Sequence, residues 1–202
     1  MRVAPSPLIL PMKAALRKQL RAARRALSAA EHRRHSSRAA RGVTRLAAFA
    51  TGKRIAVYLP FDRETDTASL IIAARRRGLR IYVPVIVDKR HARIRFYPLG
   101  KRTRVGTFGI SVPHRQGVPV PARWLNLIVV PLVGIDRQGR RLGLGGGYYD
   151  RALQFRRLRR VWPGPHLVGL AFDCQQSDAS FAEHWDVRLN SLATESGVQL
   201  FL

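Results

Sequence analysis

Residues 127–151 constrain the fold of this chain more than any other stretch. Residues 127–133 form an apolar run that is typical of a strand buried in a sheet, and Asp136 and Gly139 then open and close a turn. The following loop carries the glycines Gly143, Gly145, Gly146 and Gly147. Glycine permits positive φ and lets backbone N–H groups converge on an anion, and a helix whose first turn starts at Tyr148 favours the same charge. The pattern predicts a strand–loop–helix that binds phosphate.

Charged residues around this loop suit the same task. Arg140 and Arg141 add permanent positive charge, and Asp150 offers the hard oxygen atoms that Mg²⁺ accepts beside phosphates. The loop is not a Walker A motif, because no Gly-Lys-Ser/Thr follows. It is not a dinucleotide fingerprint either, because Tyr148 stands where GxGxxG requires its last glycine. A glycine cluster also suits a tight loop without a ligand, and spacing alone leaves both interpretations open.

Strands and helices alternate along the rest of the chain. We predict helices at residues 12–27, 68–77 and 149–160, and one from a capping box at Ser28 and Glu31 to about Ala50. Gly78 is expected to end the helix at residues 68–77. Strands are predicted at residues 55–59, 80–87, 92–97, 127–133, 166–172 and 198–202. This alternation predicts an α/β fold in which helices cover both faces of a largely parallel sheet. A chain of 202 residues is expected to form one domain.

The first helix has two distinct faces. Apolar residues recur at helical spacing on one face, namely Leu16, Leu20, Ala23 and Leu27. Cations recur on another face, namely Lys13, Arg17, Arg21 and Arg24. Spacing alone favours a solvated basic face. His32 and His35, three residues apart on the second helix, are interpreted as surface residues, because no third metal ligand accompanies them.

The charge balance is unusual, with 37 Lys+Arg against 12 Asp+Glu and a net charge of +25. Nucleic acid is therefore a possible partner, although the cations are spread over the whole chain and solvated helix faces also explain them. The single cysteine, Cys174, excludes an intramolecular disulfide and suits a reducing compartment. Residues 1–11 contain three prolines and no signal-peptide core, so we expect them to be flexible. We predict a cytoplasmic protein without membrane contact.

The string from Pro131 to Arg151 resembles the signature of the 5-formyltetrahydrofolate cyclo-ligase family (methenyltetrahydrofolate synthetases). In that family a hydrophobic strand, Asp-x-x-Gly, Arg-Leu-Gly and Gly-Gly-Gly-Tyr-Tyr-Asp-Arg occur in this order, as they do here. A match over some twenty consecutive positions is more specific than any count of glycines. The resemblance covers nearly the whole chain, and it implies a single domain with a three-layer α/β/α fold.

The resemblance also implies a set of site residues. Lys13 and Arg17 match the family's N-terminal Lys-x-x-Leu-Arg, whose cations contact ATP, whereas Arg21 and Arg24 keep the interpretation of a solvated face. Lys13, Arg17 and Arg141 would neutralise phosphate charge in catalysis. The loop residues beside them would bind ATP, namely Gly143, Gly145, Gly146, Gly147, Tyr148 and Tyr149. Glu64 matches a glutamate that hydrogen-bonds the pterin, and Leu59, Phe108 and Tyr148 would contact the folate. Asp150 would hold Mg²⁺. From the residues alone, Glu64 is equally an ordinary loop carboxylate and Phe108 a core residue.

Two positions depart from the family pattern. Many members carry an aspartate at the position of Asn190 as a second metal contact, and asparagine offers only a neutral oxygen. Leu144 replaces a basic residue of the glycine loop. Neither departure involves Asp150 or the glycines.

The implied activity is the ATP- and Mg²⁺-dependent cyclisation of 5-formyltetrahydrofolate to 5,10-methenyltetrahydrofolate, with release of ADP and phosphate. The expected partners are ATP and the folate, with or without a polyglutamate tail, and a monomer is predicted. Two alternatives stay open. The net charge favours a basic RNA-binding protein on the same scaffold, and Asn190 with Leu144 favours a catalytically silent folate or nucleotide binder.

Overall fold

The computed structural model describes residues 9–114, 117–158, 164–179, 181 and 186–201, without the side chains of residues 9, 10, 108, 157 and 158. Its α-helices are α1 (Ile9–Ala26), α2 (Ala29–Thr44), α3 (Ala68–Arg76) and α4 (Tyr148–Leu153). Its strands are β1 (Arg54–Ala56), β2 (Arg80–Asp88), β3 (Arg93–Pro98), β4 (Thr103–Val105), β5 (Ser111–Pro113), β6 (Leu127–Val130), β7 (Gly134–Asp136), β8 (Arg141–Leu142), β9 (His166–Leu170), β10 (Gln176–Ser177), β11 (Ser191–Thr194) and β12 (Gly197–Leu200).

The main sheet has the strand order β12-β11-β9-β6-β1-β2-β3. The strands from β11 to β2 run parallel, and antiparallel partners, β12 and β3, close the two edges. A three-stranded sheet (β10-β7-β8) and the hairpin β4-β5 lie beside it. The predicted α/β class with a largely parallel sheet is confirmed.

Two apolar cores lie against the main sheet. One contains residues of α2 and α3 together with Val57, Val129 and Val168, and the other contains Leu153 of α4 with Ile128, Val130 and Leu167. Neighbouring residues of a strand point to opposite faces, so Val129 and Val130 assign the two cores to the two faces of the sheet. Helices therefore cover both faces, as predicted.

Helix α1 lies across the carboxyl edge of the parallel strands. Its Leu20 packs in a small cluster with Val133, Leu142 and Phe181. A Cβ atom on Gly134 would come within 2.3 Å of Leu20 Cδ1, so glycine at position 134 leaves room for this leucine side chain against β7. The close contact places Lys13 and Arg17 of α1 next to the glycine loop.

Local sequence chemistry determined the start of α2 and the end of α3. The capping box is formed, since Glu31 N donates to Ser28 Oγ and Ser28 N donates to Glu31 Oε2. Gly78 adopts a φ of +66° just after α3. The predicted end of α2 near Ala50 is wrong: Gly42 and the β-branched Val43 and Thr44 lower helix propensity, and the chain turns to bury Phe49.

Other boundaries differ from the predictions. Strand β1 spans three residues rather than five, and the hairpin β4-β5 was not predicted. Helix α1 begins three residues earlier than predicted, at Ile9, with Pro11 in its first turn where a proline is tolerated. After α4 the chain continues as a 3₁₀ helix to Leu158, and the predicted end of this helix at residue 160 lies outside the described residues. Within the described part of the chain, no helix has the length and apolarity to cross a bilayer.

Candidate active site

A cleft of about 1340 Å³ lies at the carboxyl edge of the parallel strands. Its floor follows the ends of three strands, with Tyr58 and Leu59 after β1, residues 84–86 in β2 and residues 131–133 after β6. Open α/β sheets bind ligands at this edge. The glycine loop and α1 form one wall, and the segment around Glu64 with the loop at Gly106 and Thr107 forms the other.

Two arginines hold the glycine loop by its carbonyl groups. Arg17 Nε donates to Gly143 O at 2.8 Å, and Arg151 Nη1 donates to Gly146 O at 3.0 Å. Gly145 and Gly147 have φ of +105° and +66°, values that favour glycine. Within residues 117–158, the backbone N–H groups of residues 145–147 donate to no protein acceptor, so they remain available to a ligand. Helix α4 begins at Tyr148, as predicted.

Arg141 is a buried cation on β8 beside this loop. Its Nη2 donates to Asp150 Oδ1 at 2.7 Å, and its guanidinium lies 5.5 Å from the centre of the Tyr149 ring. Only 6% of the Arg141 side chain is exposed, against 26% of the Asp150 side chain. Arg141 Nε and the Tyr149 hydroxyl are buried and lack a hydrogen-bond partner among the described residues. Buried polar atoms without partners are costly in native proteins, so both are candidates to bind a ligand in the cleft.

Lys13 and Arg17 lie one turn apart on the cleft-facing side of α1. Lys13 is buried, and its Nζ is 4.0 Å from Asp186 Oδ2. Burial lowers the pKa of Arg17, and the charge of Asp186 opposes this shift. Sequence reasoning missed Asp186, because a lone aspartate beside a tryptophan carries no motif. The tertiary structure shows that Asp186 lines the cleft, where it lies next to Lys13.

The opposite wall carries most of the residues predicted to contact folate. Glu64 Oε2 accepts a hydrogen bond from Phe61 N at 3.1 Å, and burial raises the pKa of Glu64 to about 7. Leu59 is half-buried in the cleft lining, and so is Tyr148 on the glycine-loop side. Phe108 lies in a short 3₁₀ helix (Thr107–Gly109) whose neighbours line the cleft, and its side chain is outside the described part.

Asn190 does not belong to this cleft. Its Oδ1 accepts from Leu167 N at 2.8 Å and from Arg156 Nη2 at 3.2 Å, and it precedes β11 at the amino edge of the sheet. The structure therefore does not bring Asn190 together with Asp150, which faces the cleft at the carboxyl edge. The carboxylate that the tertiary structure adds to the cleft is Asp186. Leu144, the other departure from the family pattern, lines the cleft and is exposed.

Replacing Glu64 with glutamine is expected to stabilise the protein at alkaline pH. The raised pKa means that folding costs free energy once the buried carboxylate ionises, so wild-type stability falls as pH rises from about 4.5 through about 7. The variant lacks this cost. We expect its free energy of unfolding to match wild type near pH 4, where the carboxyl is protonated in both states, and to exceed it by roughly 2–3 kcal/mol near pH 9. Urea unfolding at both pH values measures the difference. Asp178, which forms an exposed ion pair with Arg137, offers a control. Asp178→Asn should not raise the free energy of unfolding near pH 9. An equal increase in this variant would contradict the role of burial.

The fold and the cleft define an α/β protein that gathers cations, a glycine loop and carboxylates at the carboxyl edge of a parallel sheet, as proteins that bind phosphorylated ligands do. The model of the 5-formyltetrahydrofolate cyclo-ligase family matches residues 10–195. The chain therefore belongs to this family, and the resemblance inferred from residues 131–151 is confirmed, as is the prediction that the chain is an enzyme of this family.

Individual relatives agree with the family assignment. The chain is 32% identical to 5-formyltetrahydrofolate cyclo-ligase of Escherichia coli K12 over 183 residues, covering 89% of this chain and 98% of that protein. It is 38% identical to the Haemophilus influenzae enzyme of the same name over 141 residues, covering 68% and 73%. Among solved structures, 5,10-methenyltetrahydrofolate synthetase of Aquifex aeolicus matches with a TM-score of 0.77 and 31% identity, covering 94% of this chain and 92% of that chain.

Proposed function

We propose that this protein cyclises 5-formyltetrahydrofolate to 5,10-methenyltetrahydrofolate with consumption of ATP and the help of Mg²⁺. The observation that carries the proposal is that one cleft contains both sets of residues implied by the family. The cations and the glycine loop form one wall, and Glu64 with Leu59 lies on the other. A phosphate donor and a folate bound in these two places would meet inside the cleft.

The proposed chemistry needs no covalent nucleophile from the protein. The N5-formyl group is an amide and a poor electrophile, so its oxygen first attacks the γ-phosphate of ATP and ADP departs. N10 then attacks the activated formyl carbon, closes the ring and loses its proton. The C–O bond breaks, and inorganic phosphate leaves. Catalysis of such a sequence consists mainly of positioning and of neutralising the transferring phosphoryl group.

The side chains of the cleft match these two tasks. Lys13, Arg17 and Arg141 supply positive charge to the phosphates, and the backbone N–H groups of residues 145–147 supply hydrogen-bond donors. Glu64, once ionised, accepts hydrogen bonds from the N–H groups of the reduced pterin. The half-buried Leu59 and Tyr148 give the ligand apolar contact.

The carboxylates of the cleft fit a magnesium ion. Asp150 and Asp186 both line it, beside the phosphate-binding loop. Carboxylate oxygens are hard donors, and Mg²⁺ is usually bound by one or two carboxylates together with substrate phosphates. The bound ion would supply further neutralisation of phosphate charge. Asp150 Oδ1 accepts a hydrogen bond from Arg141 Nη2, and this contact orients the carboxylate.

We expect purified protein with ATP, Mg²⁺ and 5-formyltetrahydrofolate to release methenyltetrahydrofolate and ADP in equal amounts. Absorbance of the methenyl product and a coupled ADP assay measure both in one sample, and omission of the folate or the metal is the control. ADP release without methenyl product would contradict the proposed reaction. Tight folate binding without turnover would mark a silent binder. Steeply salt-dependent RNA binding by a protein that does not turn over ATP would favour the nucleic-acid alternative.

A further inference from the structure

The loop immediately before Glu64 has a strained backbone. Asp62 and Arg63 have φ of +49° and +58°, and two successive residues other than glycine rarely adopt this left-handed conformation. A residue in this conformation is strained, and it persists only where surrounding contacts hold it. Glu64 N donates back to Phe61 O at 3.0 Å and closes the turn. The direction of the Glu64 carboxylate therefore depends on the contacts that keep Asp62 and Arg63 in this conformation.

Three arginines of α1 converge on Asp62. Arg21 Nη2 donates to Asp62 Oδ2 at 2.9 Å, and Arg25 donates to Asp62 Oδ1. Arg24 Nη2 donates to the backbone carbonyl of Asp62 at 2.7 Å and also lies 3.4 Å from Oδ2. Among these three arginines, Arg24 is the one that contacts both the side chain and the backbone of the strained residue.

Arg24 is also the buried member of the group. The residue is 1% exposed, and its Nε has no partner among the described residues. The Arg21 and Arg25 side chains are 38% and 52% exposed. The prediction that Arg24 belongs to a solvated basic face is wrong, because Asp62, 38 residues away in sequence, supplies the partner that makes its burial possible. Burying a guanidinium is expensive, and stability alone is rarely gained from it.

Arg24 is electrostatically coupled to Glu64 as well as to Asp62. Burial lowers the pKa of Arg24, and the charges of Glu64 and Asp62 oppose the shift. The same helix carries Lys13 and Arg17 toward the glycine loop. Helix α1 thus connects the two walls of the cleft through its cations.

We propose that Arg24 is a positioning residue for the folate side of the cleft: it holds Asp62 in the left-handed conformation and thereby fixes the direction of the Glu64 carboxylate. This inference rests on the proposed function, in which Glu64 accepts hydrogen bonds from the pterin. Arg24 itself acts through the loop, and no contact with substrate is assigned to it.

The test compares Arg24→Gln with Arg25→Gln, which removes an exposed cation from the same Asp62. A hydrogen bond to a charged group contributes about 1.5–3 kcal/mol, so a misdirected Glu64 should raise the KM for 5-formyltetrahydrofolate roughly 10- to 100-fold. The KM for ATP should change less than about threefold, because residues 143–147 keep their own contacts. Arg25→Gln should leave both constants near wild type. Equal rises in both KM values for Arg24→Gln, or no rise for the folate, would overturn the proposal.

A rescue variant separates positioning from general stability. Glycine adopts positive φ without strain, so Asp62→Gly in the Arg24→Gln background should recover much of the lost folate KM. Arg24→Lys, which keeps the charge but not the forked geometry, should lie between wild type and Arg24→Gln and serves if the glutamine variant unfolds. Absence of any recovery in the double variant would assign Arg24 a purely structural role.

Amide hydrogen exchange separates failure of this proposal from failure of the proposed function. Without any substrate, Arg24→Gln should lose protection at the Glu64 amide, whose acceptor is Phe61 O, while Arg25→Gln keeps it. If the wild-type protein cyclises no folate, loss of protection in Arg24→Gln alone still supports the role of Arg24 in the loop. Unchanged protection overturns that role whatever the activity.

Discussion

The Arg141→Ala variant is expected to turn over roughly 10²–10³-fold more slowly than the wild-type protein while it remains folded. Arg141 is a buried permanent cation of the cleft, with one nitrogen on Asp150 and another, Nε, without a partner among the described residues. Removing one preorganised donor to a charge that develops in the transition state typically costs ~2.7–4 kcal/mol. A steady-state assay of methenyl product measures the loss, and circular dichroism checks the fold.

The neighbouring arginine provides the matched control for this variant. Arg140 is half-buried, precedes Arg141 directly and is not part of the cleft lining. Arg140→Ala should keep wild-type-like turnover. Arg141→Lys retains a charge without the forked donors, so we expect it to recover only part of the rate. Wild-type-like turnover of Arg141→Ala would remove Arg141 from the mechanism, and an equal loss in Arg140→Ala would point to general damage near the loop.

The Asp150→Asn variant is expected to show the second large effect, through metal binding. An asparagine oxygen can still accept the hydrogen bond from Arg141, so the local structure should survive while the negative charge is lost. Mutation of groups that merely orient metal ligands costs 10–100-fold in metal affinity. Loss of a direct ligand should therefore raise the Mg²⁺ concentration for half-maximal rate by no less than roughly that factor. Titration of the protein with Mn²⁺, followed by electron paramagnetic resonance, reads metal binding without turnover.

The other aspartates supply the comparison. Asp186→Asn should weaken metal binding in the same direction, because Asp186 lines the same cleft. Asp178→Asn changes an exposed carboxylate outside the cleft lining and should leave metal affinity unchanged. If Asp150→Asn keeps the wild-type Mg²⁺ dependence and Mn²⁺ affinity, the assignment of Asp150 to the metal is wrong.

Most of the proposed site could be predicted from sequence because its residues occur in local patterns. The glycine loop and Asp150 lie within one continuous string, and Glu64 lies in the loop that follows β1. Asp186 and Arg24 could not be predicted in this way. Their roles depend on partners far away in the chain, Lys13 for Asp186 and Asp62 for Arg24. Asn190 stands where many family members carry a metal-binding aspartate, and its oxygen instead accepts from backbone and arginine donors at the opposite edge of the sheet.

The sequence by itself determined those features that depend on a few neighbouring residues. They include the capping box at Ser28, the end of α3 at Gly78, the buried strand that precedes the glycine loop, and the family to which the chain belongs. The family motif assigned Lys13 and Arg17 to the phosphates, and only the tertiary structure decided that Arg24 also turns inward. Lys13, Arg17 and Arg24 share one helical face, and periodicity alone favours solvent for it. Burial of a cation becomes favourable only where distant acceptors such as Gly143 O and the Asp62 carbonyl meet it, and local sequence patterns carry no information about these contacts.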